Sequence, residues 1–264
     1  MLSTLSVIFY LTSAIVVGYC LKVRLPVTGN FRLFYLATNF GGMLIQLLLL
    51  QHLVQTENGL RLDVVNMFLL VTWLMVVMLI LGSIQKPLQN LNIIIAPLAA
   101  LSVLLAAIFH TNEPRVVTAS TELQSHILLS VIAFSLLSIA AIQAILLAVQ
   151  ERHLRNHQPN GFIQALPPME SMESLLFEII WLGFISLTLA LFNGLLYLED
   201  MFAQHLVHKT VLSISAWLVF STLLWGRWRF GWRGKTAIRW TLIGLFTLLL
   251  AYFGSKIVIE LILS

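Results

Sequence analysis

An all-α bundle of about eight membrane-crossing helices is the fold this sequence predicts, and three observations predict it. Of its 264 residues, 59% are hydrophobic and 10% are charged, against about 25% charged in an ordinary soluble chain. The apolar residues gather into repeated charge-free runs, each near the length of about 20 residues that a helix needs to cross a bilayer. The Lys and Arg residues fall in the short connections between those runs. A segment in lipid must satisfy its own backbone hydrogen bonds, and runs this long do so as helices rather than barrel strands. No polar stretch is long enough for a soluble domain, so residues 1–264 are expected to form a single transmembrane domain.

The expected spans are roughly 5–21, 33–54, 64–84, 91–109, 125–149, 175–198, 210–225 and 240–259. The first lacks a basic leader region and an A-x-A site, which predicts a retained span rather than a cleaved signal. It holds Cys20, the only cysteine, so no intrachain disulfide or thiolate metal cluster is expected. The second span carries Asn39 and Gln46 on one face, either as functional polar groups or as hydrogen-bond partners of a neighbouring helix.

The fifth run, 125–149, is the one the others are expected to surround. His126 opens it, with Ser130 and Phe134 on the same face. Ala140, Ala144 and Ala148 recur one turn apart, a stripe along which a second backbone can come close. Before the sixth span, Pro167-Pro168 stops any helix, and Ser171 to Ser174 places acids near the positive end of the next one. The seventh and eighth spans are expected to be joined by a basic, aromatic loop from Gly226 to Arg239, with Trp225, Trp228, Trp232 and Trp240 at headgroup depth. Such a mixture of Trp and Arg also occurs on nucleic-acid surfaces, but a short loop clamped between two spans is poorly placed to follow a strand.

Orientation follows from the loop charges. Eleven Lys and Arg residues, from Lys22 to Arg239, lie in the loops of one side, and only Arg61, Arg115 and Lys209 in those of the other. This asymmetry predicts that the first set is cytoplasmic and both termini are on the non-cytoplasmic side. The net charge of +4 is therefore a topology signal, and no nucleic-acid partner is expected.

Of the seven histidines, His153 and His157 belong to a basic inner loop. The other five, His52, His110, His126, His205 and His208, fall at outer ends of spans or in the outer loop before the seventh. Neutral imidazole is a common metal ligand, and haem iron takes one or two axial ligands of this kind. Haem is a flat apolar plate with charged propionates, suited to a cleft between helix ends. His126 is the first candidate ligand for haem iron and His208 the opposite one, with His205 three residues earlier and His52 at the end of span two. Arg115 or Lys209 would pair with propionates.

Other readings stay open: each histidine can be an interfacial hydrogen-bonding group, and His205-x-x-His208 with Glu199 or Asp200 can form a zinc site. There is no G-x-S-x-G or H-E-x-x-H, so no bond-making enzyme is expected. A proton-coupled transporter would want a mid-span carboxylate, and none is read here.

Four stretches carry a family resemblance: the His126 to Phe134 run, Lys209-Thr-Val-Leu-Ser-Ile-Ser-Ala-Trp-Leu-Val-Phe, Trp225-Gly-Arg-Trp-Arg-Phe-Gly-Trp-Arg-Gly-Lys, and Ala251-Tyr-Phe-Gly-Ser-Lys. They resemble the YpjD/HemX-type inner membrane proteins of the cytochrome c assembly family, which includes the CcsA and CcmC haem handlers. The resemblance covers most of the chain and is strongest over 122–263. It implies a multi-pass protein of the bacterial inner membrane, and a haem ligand at His126, which matches the family's outer histidine in place and context.

The sequence also departs from that family. The loop before Lys209 has no tryptophan, so the family's outer tryptophan-rich platform has no counterpart. Trp225 stands where CcsA-like members carry a second outer histidine, and Gln46 stands near where relatives place one within span two. The resemblance therefore carries haem binding or export further than it carries attachment of haem to apocytochrome c. HemX-type members are associated with tetrapyrrole synthesis, which implies a second reading. In it the protein is a non-catalytic regulator or scaffold whose inner loops, 151–174 and 226–239, contact a membrane or cytoplasmic protein partner.

Overall fold

The structure, a computed structural model, describes residues 1–23, 25, 29–56, 59–61, 63–86, 88–109, 116–117, 121–155, 165–197 and 207–254. Among them, eight helices are long and apolar enough to cross a membrane. Their α-helical parts are α1 (Leu2–Val23), α2 (Gly29–Val54), α3 (Val64–Gln85), α4 (Asn92–Ile108), α5 (Thr121–Arg155), α6 (Met169–Tyr197), α7 (Val207–Phe230) and α8 (Gly234–Leu249), the fourth span also taking in the turn from Gln89 and the eighth running on to Tyr252. The fold is all-α apart from a small antiparallel ladder of β1 (Gln55–Thr56), β2 (Gly59–Arg61) and β3 (Val116–Val117), with Leu60 opposite Val117. Backbone contacts divide the chain into two compact units, Met1–Thr118 with Gln150–Pro168, and Ala119–Val149 with Met169–Ser264.

In the first unit, buried polar side chains tie α1 to α4 together. Gln46 accepts from the Tyr10 hydroxyl at 2.6 Å and donates to the Leu69 carbonyl at 3.0 Å and to Thr72 Oγ1 at 3.1 Å. Thr72 in turn meets the Ser102 hydroxyl at 2.7 Å. One residue from each of four helices thus joins a single chain of bonds. Gly42 makes room for it, because a Cβ there would lie 2.9 Å from the Tyr10 ring. Asn39 and Asn92 both donate to the Ser13 hydroxyl. Asn39 and Gln46 therefore serve as interhelical partners, where hydrocarbon offers no water as an alternative.

The ends of α3 are equally explicit. The Asp63 carboxylate accepts from the Asn66 backbone N–H at 2.8 Å as an N-cap. At the other end, Arg32 donates to the Ser83 carbonyl at 2.8 Å, where a cation meets the negative end of the helix.

The second unit contains residues 121–149 of α5 together with α6, α7 and α8. Pro167-Pro168 precede α6, as the sequence predicts, but the helix starts at Met169, before the expected Ser171, and the acid in its first turn is Glu170. Of the alanine stripe on α5, Ala140 and Ala144 are fully buried. Leu137 of α5 packs onto Gly183 of α6, where a Cβ would sit 2.7 Å from it. Gly244 of α8 plays the same part against Phe220 of α7.

The expected loop from Gly226 to Arg239 is a correction. Helix α7 continues through it to Phe230, and α8 begins at Gly234. Charge and aromatic content suggested a loop, but Arg and Trp are sound helix residues at an interface. What stops α7 is Gly231 at φ +65, whose N–H bonds the Arg227 carbonyl in a left-handed cap. Gly226 survives within the helix because Trp232 folds back onto it, 2.3 Å from where a Cβ would be.

Candidate functional site

The site is built where α5 begins and α6 ends. The two helices run antiparallel, linked by Gln143 donating to the Met172 carbonyl at 2.9 Å near one end. Near the other end, Asn193 donates to the Ser125 hydroxyl at 3.1 Å. Between these links the Leu137 side chain packs onto Gly183. Next to Ser125, the half-buried His126 is held by the same pairing.

His126 Nδ1 lies 3.0 Å from the Ala190 carbonyl oxygen. A carbonyl only accepts, so Nδ1 must carry the proton and donate. In the neutral ring the lone pair then resides on Nε2. The Ser130 hydroxyl lies 3.5 Å from Nε2, long for a hydroxyl hydrogen bond. Ser130 is also hydrogen-bonded to Tyr252, whose ring lies 5.1 Å from Phe134. The lone pair is thus oriented by a backbone acceptor, and the Ser130 hydroxyl beside it leads on to Tyr252. This is the arrangement by which proteins fix ligating histidines, with the second nitrogen anchored and the first left to a metal. The residues present fit an axial haem ligand.

The other expected site residues are distributed as follows. Ser130 and Phe134 share the His126 face, as the spacing predicts. Lys209 is half-buried in the first turn of α7. His208 lies on that same turn of backbone, with its side chain outside the described residues. His205, Arg115 and His110 lie outside the described residues, as do Glu199 and Asp200 of the zinc alternative. His52 is exposed in the last turn of α2, in the first unit. Among the described residues, no group of three or more His, Cys, Asp or Glu is placed to hold a metal ion.

Two participants were not read from the sequence. Tyr252 sits on a π-turn, Leu250–Gly254, that follows α8, and irregular turns of this kind are frequent at functional sites. The Ala190 carbonyl is backbone and has no side-chain signature at all.

Fold and site together define the class: an integral membrane protein of eight spans with a backbone-oriented imidazole near one end of its second unit. Comparison with known sequences gives the family. The Cytochrome C assembly protein family matches residues 39–263, and this chain belongs to it.

Among individual relatives, the inner membrane protein YpjD of Escherichia coli K12 is 36% identical over 207 residues, 78% of each chain. An uncharacterized 28.8 kDa protein of Azospirillum brasilense is 34% identical over 141 residues, 53% of this chain and 52% of that one. More distantly, the cytochrome c biogenesis protein CcsA of Prochlorococcus marinus NATL1A is 27% identical over 107 residues, 40% of this chain and 33% of its own. No solved structure matches. The chain is a multi-pass inner membrane protein, and its family ties it to haem-related membrane function.

Proposed function

We propose that this protein handles haem in cytochrome c assembly or tetrapyrrole homeostasis, holding it at the mouth of the second unit through His126. The observation that carries this reading is the Nδ1–H bond to the Ala190 carbonyl, which leaves on Nε2 a lone pair whose contact with the Ser130 hydroxyl, at 3.5 Å, is long. His126 Nε2 would be the nitrogen that holds the haem, which would supply the iron centre. The chain's own residues would bind and orient it: His126 would ligate, with Tyr252 brought close by its hydrogen bond to Ser130. The function proposed is binding and transfer of a guest, with no bond-making step. In the orientation the loop charges favour, this mouth opens on the non-cytoplasmic side.

An absorption spectrum tests the reading. Protein purified in detergent and supplied with haem is expected to show a Soret band that is lost or strongly weakened in His126→Ala, with the helical far-UV signal unchanged. A band of equal strength in the variant would remove His126 from the site. The regulatory alternative predicts a different result: no haem absorption in either protein, with partner levels responding to changes in the inner loops.

A further inference from the structure

The turn joining α7 to α8 forms a charged and aromatic surface that the haem reading does not use. We propose that it is a binding site for the headgroup of an anionic phospholipid. Glu173 of α6 organises the turn. One carboxylate oxygen accepts from Arg227 at 3.4 Å and from the Gly234 backbone N–H at 3.1 Å, and the other lies 3.6 Å from Arg233. Both sides of the turn are thereby pinned to α6, and Arg227 also lies 4.5 Å over the Phe177 ring. These contacts occupy Arg227 and Arg233. Arg229 and Arg239 are exposed and pair with none of the described residues. Arg229 and Arg239 are therefore exposed positive charge beside a turn whose acids, Glu170 and Glu173, are taken by Arg227 and Arg233, and they call for an external anion.

Aromatic rings surround this charge. Trp232 stacks on Trp240 at 5.5 Å, Phe230 lies edge-on to Trp225 at 5.3 Å, and Trp228 is 81% exposed. Guanidinium forks match a phosphodiester in geometry as well as charge. Exposed indoles beside them sit where headgroup meets acyl chain. A free phosphate ion would use the cations and leave Trp225 and Trp228 without a partner, so the surface fits a lipid.

The test uses the full chain in phosphatidylcholine nanodiscs doped with brominated phosphatidylglycerol or, at equal mole fraction, brominated phosphatidylcholine, with tryptophan emission as the readout. The anionic quencher is expected to act at a severalfold lower mole fraction than the zwitterionic one. Arg229→Gln with Arg239→Gln is expected to reduce that preference by at least about fivefold, the effect of roughly one cation at an anionic surface. Arg152→Gln with Arg155→Gln, which removes equal charge from the end of α5, is expected to leave it intact. Four results would overturn the proposal: no preference in the unaltered protein, its survival in the first double variant, its equal loss in the second, or its abolition by millimolar inorganic phosphate. None of these readouts depends on haem.

Discussion

His126 has one nitrogen committed to a carbonyl and the other directed at a hydroxyl too distant to hold it. Gln46 is its opposite, with its amide spanning three helices through three bonds. It stands near where the family resemblance would place a histidine, and here that position is filled by structure and offers no lone pair to a guest. Gln46→Leu would leave the Tyr10 hydroxyl without its acceptor in a water-free interior, a loss of about 1–2 kcal/mol. A lower unfolding midpoint in a denaturing-detergent titration, with haem absorption retained, is the expected outcome; haem loss at full stability would give Gln46 a role in the site. His126 itself was legible in the sequence as an imidazole opening a charge-free helix. Its link to Tyr252 through Ser130 was not, because that link joins residues far apart in the chain and leaves no periodic trace.

At the scale of elements, the α5–α6 pair decides the site. Because Gly183 lies where a Cβ would be 2.7 Å from Leu137, Gly183→Ala forces the helices apart or Leu137 out of its rotamer, at a cost of about 1–3 kcal/mol. The separation is felt at the His126–Ala190 bond, so haem absorption is expected to fall although neither ligand nor aromatic ring has changed. Unaltered absorption with a lowered melting temperature would confine Gly183 to packing. All eight spans were visible in hydropathy. Their ends were less so: α5 runs on to Arg155, α6 starts at Met169 and α7 reaches Phe230. Each extension passes through charged or aromatic residues that continue a helix readily once they emerge at headgroup depth. Hydropathy marks where lipid ends, which is not where a helix must end.

For the whole molecule, the membrane orientation remains an expectation of the loop charges, and labelling tests it directly. With Cys20 replaced, a single cysteine at Glu122 is expected to react with an impermeant maleimide in spheroplasts, and one at Arg152 only after permeabilisation; both positions are exposed. The reverse pattern would place the His126 mouth on the cytoplasmic side and overturn the orientation the loop charges favour. The division into two contact units could not be read from hydropathy, which records burial in lipid but not which helix packs against which. In the first unit the packing is settled by Ser6, Tyr10, Ser13, Asn39 and Gln46, buried polar residues whose partners become evident only in three dimensions.

The group that seats the imidazole belongs to the main chain. Alanine scanning at position 190 changes nothing, since the residue is already alanine and every replacement keeps the oxygen. The anchor is genetically silent, so a mutational survey can reach His126 but never what aims it. Exposing it takes chemistry rather than genetics. An ester in place of the amide linking Ala190 to Leu191 would weaken that oxygen as an acceptor while preserving every side chain.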